Sequence, residues 1–396
     1  MLNTVSRSFP TLRSVHLALW LGMGLLASPG QAEEEAGTSA AEAPSPWLLT
    51  PLFSVDPKLG RNIGGIAAYM PQFDSESPVS MAGVGVTYSN TDSVIGGLFS
   101  DLYWGADHHR LTAAVAYGNI NNEYEDFLGT GQTVRTVDDL KSVFLRYRYR
   151  VAGNWFLGGQ VLRTNYAIDF PPRDSGFGDQ IGYLGFSSKG WGFVAEMDGR
   201  NDVRNPDRGT YFSIDTVSYV DGDANEDLPS SPPGFEDQPG AAPLLQRDAE
   251  FDVMRVNLRH YRGLGHWFTE TSESEVVLAM QAFGRWTNDA PISGFSSVLI
   301  PGYTRGNYLG ENYNDIQLDL RMPLSRRWGA ILFAGVGCLH GAALGAESNC
   351  SDNVYPGLGA GVSWLIKPES GVILRAEVAK GTGDNSAMYL RFGHPF

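Results

Sequence analysis

The sequence predicts an all-β chain, a transmembrane antiparallel β-barrel of sixteen strands. Three observations predict it. Short segments in which apolar and polar residues alternate recur from Trp47 to the last residue, which is the two-residue period of a strand. The chain of 396 residues is rich in Gly (48), Phe (20), Tyr (17) and Trp (9), while charged residues make up only 18%. That composition favours strands and tight turns over helices. Finally, the chain opens with an export signal, and no later apolar run is long enough for a membrane-crossing helix,.

Taken from the start, Arg7 and Arg13 give a basic region, followed by the apolar run LALWLGMGLLA from Leu17 to Ala27. Gly30 and Ala32 then stand at the minus-three and minus-one positions of a cleavage site after Ala32. Residues 1–32 are therefore expected to be a signal peptide, the run being short for a membrane anchor. Its removal leaves 27 basic and 44 acidic residues, a formal charge of −17. A chain so acidic is not expected to bind nucleic acid. Residues 33–46, EEEAGTSAAEAPSP, are acidic, small and Pro-punctuated, as expected of a disordered linker.

The barrel is expected over 47–396. In DIQLDLRMPL, Ile316, Leu318, Leu320, Met322 and Leu324 lie on one face, and Gln317, Asp319 and Arg321 on the other. SVFLRYRYRV sets Val143, Leu145, Tyr147, Tyr149 and Val151 against Arg146, Arg148 and Arg150, and VILRAEV sets its apolar residues against Arg375 and Glu377. A soluble sheet with one wet face would show the same pattern. Export, and strands that continue to the final residue without helices to cover them, favour a membrane barrel with its charges inside. In hydrocarbon an open edge is not tolerated, so the sheet must close.

The strands are expected at about 47–55, 61–72, 79–89, 94–104, 108–119, 139–151, 154–166, 184–200, 209–221, 249–261, 275–287, 313–324, 327–338, 355–366, 371–380 and 387–396. An even count puts both ends in the periplasm. The turns on that side, such as VAGN, SRR and KPES, are short, and the outer loops 120–138, 167–183, 222–248, 288–312 and 339–354 are longer, as in outer-membrane barrels. Cys338 and Cys350 flank one outer loop. In an exported chain they suit a local disulfide, with two free thiols as the alternative.

No catalytic, cofactor or metal site is expected. GFSSV at Gly294 lacks the second Gly of a nucleophile elbow,. GLGAG at Gly357 falls inside a strand, so it is not a nucleotide loop,. The 7 His are scattered, with His108 and His109 in a polar turn,.

Two stretches carry a resemblance. DGRNDVRNPDRG, Asp198 to Gly209, resembles the turn signature of the BamA/TamA-like outer-membrane proteins, the bacterial surface antigen family, through Asp198, Arg200, Pro206 and Gly209. Asn201, Asp202 and Val203 depart from it. IPGYTRGNYLGENYNDIQLDLRMPL, Ile300 to Leu324, resembles the loop that this family folds back into its barrel, matching at Gly302, Tyr303, Gly306 and Tyr308. Pro301 replaces the family's loop arginine, which pins the loop to an acid on the wall, and Arg305 is the candidate replacement. Residues 51–70, FLGTGQ at 127–132 and the closing RFGHPF, with Gly393 and Phe396, are weaker echoes; the last is similar to the family's C-terminal recognition strand.

The resemblance implies an extracellular loop folded into the lumen, with Gly302, Tyr303, Arg305, Gly306 and Tyr308 in it. Asp319, Arg321, Arg375 and Glu377 would face it from the wall, or simply solvate the lumen. It also implies a non-enzymatic role in outer-membrane biogenesis or in protein or lipid transport. The family's periplasmic POTRA modules find no counterpart in the 14 residues between signal and barrel, so a separate periplasmic partner would replace them. Outer-membrane lipids, lipopolysaccharide and the outer-membrane assembly machinery complete the expected partners. The competing expectation is a passive solute pore gated by the 288–312 loop, its selectivity set by inward charges.

Overall fold

The computed structural model describes residues 45–56, 60–124, 134–169, 183–220, 250–267, 275–288, 290, 294–304, 307–343 and 346–396. The signal peptide, most of the acidic linker, FLGTGQ, the 222–248 loop, Arg305 and Gly306 lie outside the described residues.

Alternation is the local cause of the fold. In chain order the strands are β1 (Trp47–Asp56), β2 (Gly60–Tyr69), β3 (Met81–Ser89), β4 (Val94–Trp104), β5 (His109–Tyr124) and β6 (Val134–Ala152). Then come β7 (Trp155–Asp169), β8 (Tyr183–Asp198), β9 (Gly209–Val220), β10 (Phe251–Gly263) and β11 (Val277–Asn288). The short β12 (Ser296–Ser297) and β13 (Leu309–Gly310) pair only with each other. The chain closes with β14 (Asn312–Pro323), β15 (Trp328–Ala343), β16 (Ala346–Ser348), β17 (Val354–Lys367), β18 (Val372–Lys380) and β19 (Ser386–Phe392).

Setting aside β12, β13 and the three-residue β16, which pairs with the end of β15, sixteen antiparallel strands pair in chain order. β19 then meets β1, and the sheet closes on itself. β5, β6 and β7 run several residues further than expected, to Tyr124, from Val134 and to Asp169. Their neighbours pair with them along that whole length, which shortens the loops.

The two faces of the wall separate by chemistry. Outward lie Leu49, Phe53, Ile63, Val84, Leu98, Val143, Leu157, Phe193, Ile316, Leu318, Leu358 and Met388, all exposed. Inward lie buried Arg110, Arg148, Glu196, Asp215, Asp319, Arg375 and Glu377. Apolar outside and ionic inside is the reverse of a soluble sheet, and it is what a barrel in hydrocarbon requires. Aromatics ring the end where β1 begins and β19 finishes, the terminal end of the barrel: Trp47 beside Tyr69, Trp328 stacked on Trp364, and exposed Trp155.

The last strand is shorter than expected. β19 ends at Phe392, and Gly393 (φ +78°) turns the chain inward. Phe396, expected at the periplasmic rim, is buried in the lumen beside Tyr261 and Ala279.

Candidate functional site

Both mouths of the barrel are occupied by the chain itself. At the end away from Trp47 and Phe392, the described residues of the connection between β11 and β14 pack against the inner face of the wall. Ala290 and Phe295 pack against Val217, Phe251 and Val253 of β9 and β10. Val298, Ile300 and Tyr303 pack with Tyr313 and Leu339 further round the wall. Gly357 of β17 makes room: a Cβ there would stand 2.5 Å from Ile300 Cγ2 and 2.8 Å from the Pro301 carbonyl. The first Gly of GLGAG thus admits the loop, while Gly359 and Gly361 admit Phe333 and Glu377 of the wall,.

Hydrogen bonds fix the far side of this loop. Gly302 N–H donates to the Tyr389 hydroxyl at 3.1 Å. The buried Tyr303 hydroxyl donates to the Pro356 carbonyl at 2.8 Å and accepts from Thr382 N–H at 3.0 Å. Tyr308 accepts from Asn385 Nδ2 at 3.1 Å and stacks by its edge on Tyr303. On the near side Arg285 of β11 donates to Ser296 Oγ at 2.7 Å and to the Gly294 carbonyl at 2.8 Å. Where the family resemblance implies a loop arginine reaching a wall acid, the described residues show a wall arginine reaching loop oxygens. The sequence carried a signal for this, an inward Arg on the strand leading into the loop.

The four inward charges of β14 and β18 do not meet the described part of this loop. Arg375, fully buried, donates to Asp319 at 2.7 and 3.2 Å and also pairs with Glu377. Arg321 bonds Asp319 at 3.3 Å, the Pro206 carbonyl at 3.2 Å and the Phe396 carbonyl at 2.9 Å. Arg375 Nη1 lies 2.8 Å from His394 Nδ1. The cluster serves the other mouth because odd-numbered residues of β14 point inward at every level, and Asp319 and Arg321 stand at the terminal end.

There the β8–β9 turn reaches across from the opposite wall. Asp198 takes Arg110 at 2.7 Å and Arg200 at 2.8 Å, and Arg200 lies over the Tyr211 ring. Arg110 and Arg148 also hold buried Glu196. Asp202 Oδ1 accepts the N–H groups of Arg204 and Asn205, both at 2.7 Å, and Asn201 Oδ1 accepts those of Asp207 and Arg208. Two of the three positions that depart from the family signature, Asn201 and Asp202, thus use their side chains to shape this turn,. Gly209 has φ +107°, and a Cβ there would strike the Gly199 carbonyl.

The turn ends on the far wall. Arg204 donates to the Val79 carbonyl, Pro206 is buried against Arg321, and Asn205 Oδ1 lies 2.9 Å from His394 Nε2. Guanidinium has no lone pair, so His394 Nδ1 accepts and Nε2–H donates to Asn205, the neutral tautomer. Burial, then Arg321 and Arg375, hold this imidazole well below its ordinary pKa. Sequence reading did not find this capture of residues 393–396, which needs side chains from three distant strands.

The seam between β1 and β19 is narrow. It has one register pair, Val55 with Met388, near the loop end, whereas β18 and β19 pair over seven positions. Pro51, without a donor, stands on the edge strand β1, where it is tolerated,. Towards the termini the seam is filled by side chains, with Leu48, Ala68, Met70 and Val372 buried and Phe392 packed against them. On the outer face by the loop end, Cys338 and Cys350 are disulfide-bonded, their Cα atoms 5.2 Å apart.

No family model matches the chain, and no curated protein matches it in sequence. Solved structures do match in three dimensions. CdiB from Acinetobacter baumannii superposes with a TM-score of 0.56 at 10% identity, over 88% of this chain and 59% of that one. CdiB from Escherichia coli superposes with a TM-score of 0.55 at 13% identity, over 93% and 68%. BamA from Haemophilus ducreyi lacking POTRA domains 1–3 gives 0.49 at 12% identity, over 88% and 70%. The chain therefore spans about three fifths of the length of the first CdiB. It has the barrel fold of the CdiB proteins.

Proposed function

We propose that this chain, exported by its leader, is a BamA/TamA-like outer-membrane barrel acting in outer-membrane assembly or in the transport of proteins or lipids, without catalysing a reaction. Its working part is the β1–β19 seam, and its terminal end faces the periplasm. One observation carries the reading. Among the described residues, fifteen neighbouring strand pairs share registers of seven or more positions, and the seam has one. A seam so lightly bonded opens at the least cost, because each backbone hydrogen bond contributes about 1 kcal/mol. The family resemblance of the 198–209 and 300–324 stretches supports the same reading, as does the shared fold with CdiB.

The lumen weighs against a passive pore. Residues 294–304 of the β11–β14 loop pack inside its wall at one end, and the 199–208 turn meets residues 393–396 at the other. Client capture in the periplasm falls to a separate partner.

A seam lock tests the proposal. Continuing the Val55–Met388 register by two places sets Phe53 opposite Leu390. Phe53→Cys with Leu390→Cys, oxidised, is expected to reproduce the outer-membrane protein and lipid changes of a deletion strain under envelope stress, and reduction to reverse them. If the locked barrel supports a normal envelope, the seam is not the working part. If the deletion itself leaves both profiles unchanged, the assignment to assembly or transport fails.

A further inference from the structure

Between the two occupied mouths the inward face of β10 turns polar. Phe251 and Val253 lie with Phe295 of the loop, and Tyr261 lies beside Phe396 of the tail. The inward residues between them, Arg255, Asn257 and Arg259, are half-buried. Arg255 uses Nε and Nη2 on Asp215 Oδ2, at 2.8 and 2.6 Å. Arg259 uses Nε alone, on Asn257 Oδ1 at 3.3 Å, and lies over the Tyr211 ring. Asn257 Oδ1 also accepts from Gln281 Nε2 at 3.0 Å. Among the described residues, Arg255 Nη1, Asn257 Nδ2 and both terminal nitrogens of Arg259 have no partner. All of these are donors. The bond to Asn257 leans Arg259 back along β10 towards Arg255, so the donors gather around Asn257.

The charge around them is out of balance. Arg285 of β11 stands directly opposite Arg255, and like charges so placed weaken a sheet. Arg285 bonds only loop oxygens, and Arg146 of β6 shares Asp215 at 3.4 Å. Four guanidiniums on this stretch of wall thus bond one carboxylate. Glu196 is held by Arg110 and Arg148, and Asp198 by Arg110 and Arg200. Asp315 of β14 bonds none of the four, and its Oδ1 has no partner. Four arginines less Asp215 and Asp315 still leave two positive charges over. The chain as a whole is acidic, at −15, so composition does not account for the surplus.

An enclosed wall of one sign and low dielectric focuses its field on a counter-ion. A carboxylate would balance one of the two charges. A phosphate monoester carries about −1.5 to −2 at pH 7 and balances both. Guanidinium forks also match phosphate oxygens in pairs. We propose that Arg255, Asn257 and Arg259 form a lumenal binding site for a phosphate dianion, free or as the monoester headgroup of a lipid, with Arg146 and Arg285 adding charge. The site needs the closed barrel but not an opening seam, so it stands or falls apart from the seam lock.

The test titrates the full chain, in detergent micelles and phosphate-free buffer, by calorimetry with inorganic phosphate and with a short-chain phosphatidic acid. Wild type is expected to bind at least one of these probes, and Arg255→Gln with Arg259→Gln to bind it at least tenfold more weakly. Heat-modifiable migration on a gel should be unchanged, showing a folded barrel. If the double variant does not fold, Arg259→Gln alone, which breaks no ion pair, is expected to weaken binding severalfold. Affinity in wild type should also fall severalfold between pH 7.5 and pH 5, because the second phosphate pKa is about 6 and the dianion becomes a monoanion. Phosphatidic acid bound at least tenfold more tightly than inorganic phosphate assigns the site to a lipid headgroup, and a smaller difference assigns it to free phosphate; either result supports the site. Binding of neither probe at millimolar concentration, equal binding by wild type and variant, binding undiminished at pH 5, or tighter binding of an oligoglutamate peptide each overturns it.

Discussion

Tyr303→Phe removes one oxygen from the loop that joins β11 to β14. That oxygen donates to the Pro356 carbonyl at 2.8 Å, accepts from Thr382 N–H at 3.0 Å and lies 3.0 Å from Thr382 Oγ1. The ring stays, so the contacts with Tyr308 and Tyr355 persist. A hydrogen bond of this kind contributes about 1 kcal/mol net, and a buried group left without a partner costs about 1–3 kcal/mol. Two backbone groups lose their partner here, so docking should weaken by about 2–4 kcal/mol. At about 1.4 kcal/mol per factor of ten, the undocked population rises roughly 30- to 700-fold. Hydrogen exchange at the amides of 298–304, in folded barrel, should accelerate by that order while the β14 and β15 amides keep their rates. Unchanged exchange at 298–304 would show that apolar packing of Val298 and Ile300 alone holds the loop, and the hydrogen-bond argument would fail.

Arg285→Gln removes the wall's grip on Gly294 and Ser296, and protease nicking of the loop should rise on that side without loss of heat-modifiable migration; a variant as resistant as wild type would deny Arg285 its pinning role. Asp319→Asn leaves fully buried Arg375 paired with Glu377 alone, and breaking a buried pair costs about 3–5 kcal/mol. The denaturant midpoint of the folded barrel should fall accordingly, and an unchanged midpoint counts against the network. His394 has its pKa pushed below the ordinary 6.5, so its neutral form stabilises the docked tail above about pH 6.5 and that contribution is lost as pH falls. Exchange at residues 393–396 should therefore rise on acidification, and His394→Gln, which keeps a donor for Asn205, should abolish the pH dependence. A tail equally protected at pH 5 and pH 8 would sink this reading.

The wall of the barrel was legible because its cause is local. Two-residue alternation fixes which face a side chain takes, and DIQLDLRMPL or SVFLRYRYRV shows it without any partner strand. Strand ends were less legible where the neighbouring strand decides them, as in β5 to β7. The β11–β14 loop was recognised by resemblance, through Gly302, Tyr303 and Tyr308, but its attachment was not. Arg285 and Tyr389, which hold it, lie on strands of the wall and show only as inward residues in sequence. The turn at 199–208 looked like punctuation. Its reach to Val79, His394 and Arg321 depends on pairings 115 to 189 residues apart.

The capture of the tail shortens the seam by four positions. In the Val55–Met388 register, residues 393–396 would lie opposite 47–50 and could extend the ladder between β19 and β1. They cannot do so while Gly393 turns inward and Arg321 and Arg375 hold Phe396 and His394. Pairing four more residues would add a few backbone hydrogen bonds at about 1 kcal/mol each. Staying inward satisfies two buried guanidiniums, whose unpaired cost is larger. Buried arginines on β14 and β18 thus keep the last strand short, and 47–50 of β1 are left with no β19 residue opposite them, next to Pro51, which could not have donated to the ladder in any case,.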